Sequence, residues 1–227
     1  MTLAEKIIQF NASLRFDNSL SDGIRVLNPY ADNPLALATS TRFYQKFYSD
    51  NNKRKLILGI NPGRFGAGVT GIPFTDTKRL EEKCGLSIED LTTYEPSSVF
   101  VYDVIEAYGG VEKFYHDYYI SSVCPLGFVK FSENGKEINY NYYDSKELMS
   151  AAEPFIIESI ENQLAFGLDT KTCYCLGNNK NYKFLMKLNQ KKNYFKNIVP
   201  LEHPRFIMQY KSKKKEEYVA KFIGILR

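Results

Sequence analysis

The stretch Lys55-Leu56-Ile57-Leu58-Gly59-Ile60-Asn61-Pro62-Gly63-Arg64-Phe65-Gly66 decides the fold class. Its first six residues form a short, largely apolar run of the kind that makes a strand buried in a sheet. Asn61-Pro62-Gly63 stops that strand, because each of these residues favours a turn for its own stereochemical reason. Working outward, Tyr118–Val123, Gly127–Phe131, Thr172–Leu176 and Asn197–Leu201 read as further strands. Apolar residues at helical spacing predict helices over Leu3–Leu14, Thr39–Tyr48, Glu147–Phe166, Asn181–Leu188 and Glu216–Leu226, and Ser98–Tyr108 reads as another. Asn28-Pro29-Tyr30 and Asn33-Pro34 read as breaks that hold a loop. Strands alternating with helices imply an α/β, three-layer α/β/α fold with a mainly parallel central sheet. The absence of any repeat or Gly/Ser/Pro linker implies one domain over 1–227.

With 227 residues, 44% hydrophobic, 25% charged and 15% aromatic, the chain has a globular composition that excludes disorder, collagen and coiled coil. No apolar run approaches the roughly 18 residues of a membrane span. Met1–Phe10 lacks a signal peptide's apolar centre, so a cytoplasmic protein without membrane contact is expected. The four cysteines, Cys84, Cys124, Cys173 and Cys175, include no Cys-x-x-Cys pair, and His116 and His203 are the only histidines. No zinc spacing results. Cys173 and Cys175 are either two ligands or, two apart on a strand, two small apolar groups on one buried face.

The net charge of +4 is unevenly spread. Residues 171–227 carry 14 Lys+Arg against 3 Asp+Glu, or +11, and the rest carries 16 against 23, or −7. A basic segment on an acidic chain fits a polyanionic partner; Lys211, Lys213, Lys214 and Lys215 also fit a solvated helix face.

Ligands of an open parallel sheet collect at the strands' carboxyl ends. Three ends carry chemistry: Gly59 to Gly66, Ser121-Ser122-Val123-Cys124-Pro125-Leu126, and Leu201-Glu202-His203-Pro204-Arg205. The first is glycine-rich but contains neither Gly-Lys-Ser/Thr nor Gly-x-Gly-x-x-Gly, which argues against a nucleotide cofactor. Thr70-Gly71-Ile72-Pro73-Phe74 comes next, fixing the chain ahead of an aromatic ring.

Together, Gly59-Ile60-Asn61-Pro62-Gly63-Arg64-Phe65-Gly66 and Thr70-Gly71-Ile72-Pro73-Phe74 resemble the first motif of the single-strand-selective monofunctional uracil-DNA glycosylases. Ser98 to Leu126 is similar too, and His203-Pro204 resembles the start of the second catalytic motif. The resemblance is nearest to a divergent bacterial branch. It implies a uracil-DNA glycosylase-like fold and hydrolysis of the N-glycosidic bond of uracil, or a related deaminated or modified base, leaving an abasic site. By resemblance, Asn61 positions the water, His203 donates to the base oxygen and Phe74 stacks on the flipped base. Gly63 and Phe65 line the same face with their N–H groups. Taken singly, each has a plainer reading: a turn Asn, a loop His, a core Phe. His116 lacks any such context and reads as surface.

Two departures matter. The family reads the base edge with an asparagine where this chain has Ser122, whose hydroxyl is shorter and less able to donate and accept at once. After His203-Pro204 the family's Ser-Pro-Arg-Asn-Pro is missing, and Arg205-Phe206-Ile207-Met208-Gln209-Tyr210 leads into the lysines. Phe206, Ile207 and Met208 form either a wedge between bases or the buried face of a helix. Arg205, Phe206 and Lys211 to Lys215 are the expected DNA contacts. The expected partner is single- or double-stranded DNA, bound by a monomer with no cofactor, no metal and no iron–sulfur cluster. The family also implies no strand-cleaving lyase activity. The alternative is a nucleic-acid-binding protein that keeps the scaffold without chemistry.

Overall fold

A computed structural model describes residues 1–89 and 91–227. Its first helix, α1 (Leu3–Ser13), begins with a capping box: the Thr2 hydroxyl accepts the Glu5 N–H and the Glu5 carboxylate accepts the Thr2 N–H. After the short strand β1 (Ile24–Leu27), the two Asn-Pro steps correct the expected loop. Each starts a helix, α2 (Pro29–Asp32) and α3 (Pro34–Phe47). The Asn28 and Asn33 amides cap the following N–H groups, and proline sits at the first helical position, where its missing N–H costs nothing.

The chain continues through β2 (Lys55–Gly59), α4 (Ala67–Thr70), α5 (Thr77–Cys84), α6 (Pro96–Tyr108), α7 (Val111–Asp117), β3 (Tyr118–Ser122), β4 (Gly127–Phe131) and β5 (Glu137–Tyr140). It closes with α8 (Lys146–Leu164), β6 (Asp169–Leu176), α9 (Lys180–Lys192), β7 (Asn197–Leu201), α10 (Pro204–Tyr210) and α11 (Lys215–Leu226). The central sheet is parallel, in the order β3-β2-β6-β7. Alternate residues face opposite helical layers. Ile57, Ile120 and Leu201 meet Phe100 and Val104 of α6 and Phe222 of α11. On the other face Tyr119 meets Tyr44 of α3, and the neighbouring Tyr48, at ring separations of 6.5 and 6.0 Å. Cys173 and Cys175 lie fully buried in the sheet interior, and burial pushes both thiols up. The three-layer α/β/α architecture is therefore as the strand–helix alternation implies.

Three of the described strands lie outside the central sheet. β4 leaves it at Cys124-Pro125-Leu126 and pairs antiparallel with β1 and β5 in a separate three-stranded sheet. That sheet brings Asn139 and the backbone around Tyr140 to Tyr142 over the carboxyl end of β2. No described helix is long and apolar enough to cross a membrane.

Candidate active site

Asn61, Ser122 and His203 come from the carboxyl ends of β2, β3 and β7 and line one cavity of about 240 Å³. Gly63, Phe74, Arg205 and Phe206 share its wall. The ends are held in register by the ladder itself. The Gly59 carbonyl accepts the Val123 N–H and the Ile60 carbonyl accepts the Cys124 N–H, each at 3.0 Å. Asn181, buried on α9, adds a tie no sequence signal marked. Its amide donates to the Gly59 and Leu176 carbonyls and accepts the Tyr142 hydroxyl.

The Asn61 amide has a fixed orientation. Its Nδ2 donates to the Tyr140 and Pro62 carbonyls at 3.3 Å, and its Oδ1 accepts the Tyr142 N–H at 3.2 Å. A flip would set donor against donor and acceptor against acceptor. One lone pair of Oδ1 remains to accept a hydrogen from a water in the cavity.

His203 is the N-cap of α10, and its Nδ1 accepts the Arg205 N–H at 3.1 Å. An accepting Nδ1 leaves the proton of the neutral ring on Nε2, a donor. Loss of solvent around the ring, helped by the Arg205 charge, pulls its pKa down from 6.5 to about 4. At neutral pH it is therefore an uncharged donor.

Phe74 stands 5.7 Å from the His203 ring and has φ of 53°, a left-handed conformation rare for an aromatic residue. Its turn is closed by the Thr75 N–H to the Ile72 carbonyl and by the Thr70 hydroxyl to the Thr75 carbonyl at 2.7 Å. Gly59 makes room for the ring: a Cβ there would lie 2.9 Å from Phe74 Cε2. Gly59→Ala is expected to push the ring into the cavity and lower kcat/KM by about tenfold, or about 1.4 kcal/mol. Steady-state kinetics check this, and an unchanged kcat/KM would separate Phe74 from the base.

Ser122 is buried opposite Gly59 in the β2–β3 register. Beside it the cavity gains Glu95, Asn139, Asn141 and Tyr143, none of which the motifs indicated. Asn139 accepts the Arg64 N–H at 3.0 Å, so that N–H of the motif loop is occupied. Glu95 lies over Gly66, where a Cβ would come within 1.8 Å of its Oε2. Burial raises its pKa above the ordinary value, against the pull of Arg205.

Phe65, expected to offer its backbone N–H, is not among the residues of the cavity wall. Its ring is 55% exposed, lies under the Arg64 guanidinium at 4.9 Å, and borders a neighbouring groove instead of the cavity. The three residues after Arg205 take different positions on α10. Phe206 is exposed at the cavity rim beside Tyr210, Ile207 is fully buried, and Met208 borders the groove. Of the lysines, Lys215 is tied to Asp103 at 2.6 Å and Lys214 contacts Glu217. Lys211 and Lys213 are exposed, and none of the four lines the cavity. His116 is exposed beside Asp117. Among the described residues no group of three or more His, Cys, Asp or Glu is placed to hold a metal.

A family model described as the uracil DNA glycosylase superfamily matches residues 45–227, including every one of these cavity residues. The chain belongs to the uracil-DNA glycosylase superfamily. This glycosylase is similar to the crystal structure of wild-type Pedobacter heparinus SMUG2, at 54% identity and a TM-score of 0.97. That match covers 99% of this chain and 97% of the other. No curated protein matches it. Family and structural likeness together make it a DNA glycosylase, a hydrolase of N-glycosyl bonds in base excision repair whose substrate is DNA. The resemblance to the single-strand-selective monofunctional branch stands with them.

Proposed function

We propose that the cavity takes uracil, or a related deaminated or modified base, flipped out of DNA, and that Asn61 and His203 act on opposite sides of its glycosidic bond. The observation that carries this reading is their meeting in one cavity: a fixed amide with a spare acceptor, and an uncharged imidazole with its proton on Nε2. As the C–N bond breaks, its electron pair leaves with the base and the sugar becomes cation-like. Such a sugar needs an oriented water and no strong base, which an amide supplies. His203 Nε2–H stabilises the negative charge growing on the base oxygen, the kind of preorganised donor that contributes most to such barriers. Phe74 stacks on the base, Ser122 meets its edge and Gly63 lets the backbone approach. Arg205, Phe206 and the exposed lysines face the strand. All these groups come from one chain, which supports a single unit over 1–227 that works as a monomer.

The test is a uracil-containing oligonucleotide treated with protein and then alkali. Strand breakage at the uracil supports the reading, and an intact strand would return the chain to the binding-module alternative.

Ser122 bears on which base is chosen. The cavity has other amides beside it, in Asn139 and Asn141, so a single hydroxyl is not the only polar group a base can meet. We expect Ser122→Asn, which restores a donor and an acceptor at one point, to shift the ratio of kcat/KM for uracil over xanthine by about tenfold toward uracil. Parallel kinetics on the two substrates decide it; an unchanged ratio counts against a base-reading role for Ser122.

A further inference from the structure

A groove of about 280 Å³ adjoins the cavity. The cavity itself holds about 240 Å³, so the groove is of one-base size. The two lie side by side, with Glu95, Ser97, Asn139, Arg205 and Gln209 as their common wall. The groove's outer side is apolar: Phe65, Tyr94, Pro96 and Met208. Phe65 and Tyr94 are 55% and 59% exposed, large rings open to solvent. Each has an arginine over it: Arg64 lies 4.9 Å from the Phe65 ring centre, and Arg79, itself paired with Asp76, lies 5.2 Å from that of Tyr94.

Exposed rings interleaved with cations are how proteins hold single-stranded nucleic acid, since every base has a face to stack and every linkage a phosphate to neutralise. The carboxylate of Glu95 decides which part of a nucleotide the groove takes. A carboxylate repels a phosphate, but it accepts a hydrogen bond from the N–H groups on a base edge. Arg64 and Arg79 are themselves paired, with Glu137 at 4.0 Å and Asp76 at 3.0 Å, so the rings rather than the cations carry the site.

We propose that this groove is a second base site, which receives the unpaired nucleobase next to the flipped one on the same strand. The inference rests on reading the cavity as the flipped-base pocket, and it adds a reader of the neighbouring nucleotide. The chain's cleavage efficiency then depends on which base stands beside the target, through a contact made outside the catalytic pocket.

The test reads binding, independently of turnover. Single-stranded oligonucleotides carry a stable abasic analogue at the target position, with the nucleotide on its 5′ or 3′ side either normal or also abasic. Affinities are measured by fluorescence anisotropy. Removing the neighbouring base on one side is expected to weaken wild-type binding about tenfold, within the range of a base–aromatic stack. Tyr94→Ala is expected to bind the normal strand about tenfold more weakly and to lose nothing further when the neighbour is abasic. Tyr94→Phe, which keeps the ring, is expected to behave as wild type. Tyr94 is exposed, so its removal leaves the core intact. Losses that multiply, a neighbour base without effect on either side, or no binding to the strand would each overturn the proposal. Uracil release is measured in parallel. Coupling without release would leave the second site standing and remove only the catalytic reading.

Discussion

Asn61→Ala is expected to lose about a thousandfold in kcat on a uracil-containing oligonucleotide, while its affinity for the same DNA stays nearly intact. Loss of one preorganised hydrogen-bonding group in an active site costs on the order of 10² to 10³ in rate. Alanine retains the strand end but removes the one acceptor held toward the water. The same change strips partners from the Tyr140 carbonyl and the Tyr142 N–H, each a net loss of about 1 kcal/mol. A thermal melt must therefore accompany the kinetics, so that lost fold is not counted as lost chemistry. Asn61→Asp separates the two effects: it keeps an acceptor for Tyr142 and for water but sets a carboxylate against the Pro62 and Tyr140 carbonyls. It should melt lower than Asn61→Ala and turn over faster. Normal turnover in Asn61→Ala would remove the assignment.

His203 gives the second large effect, in a pH profile. With its pKa at about 4, the ring is neutral across the working range, and kcat/KM should be flat from pH 8 to about 5 and fall near pH 4. Protonation puts a hydrogen on Nδ1 and breaks the cap to the Arg205 N–H, turning the ring from the base. An inflection near the ordinary histidine value of 6.5 would contradict the uncharged donor. Stability changes with the same sign. The unfolded histidine takes its proton first as pH drops below 6.5, so folding loses stability between 6.5 and 4 and regains it above. In His203→Ala that loss should shrink, and kcat should drop by about 10² to 10³, as for removal of one preorganised donor. A variant with the wild-type rate would exclude the role.

Much of the central layer was legible because its strands are short, buried, largely apolar runs, and burial on both faces is what such runs demand. β1 and β5 were not. They are half-exposed edges only four residues long, too short for their alternation to stand out, and tertiary pairing with β4 makes them strands. The Asn-Pro steps misled for a different reason: the stereochemistry that ends a loop also begins a helix, and only the residues beyond the proline tell the two apart. In the site, Asn61, Ser122 and His203 were legible because each stands at or just beyond a strand end in a recognisable motif, and Phe74 because it ends the Thr70–Phe74 part of the first motif. Asn139 and Glu95 carry no local signal. The second sheet and the turn before α6 bring them in, and neither position is dictated by residues near it in sequence. For Phe65 the motif spoke only of a backbone N–H; its ring lies under Arg64, and the adjacent Arg64 N–H is taken by Asn139.

The most direct measurement is a crystal structure of the protein with an oligonucleotide carrying a non-hydrolysable deoxyuridine. The uracil should lie against Phe74, with its O2 within about 3 Å of His203 Nε2 and a water between Asn61 Oδ1 and C1′. A base seated elsewhere, or bound there with His203 Nε2 turned away and no water at Asn61, would contradict the pairing of amide and imidazole on which the proposed chemistry depends.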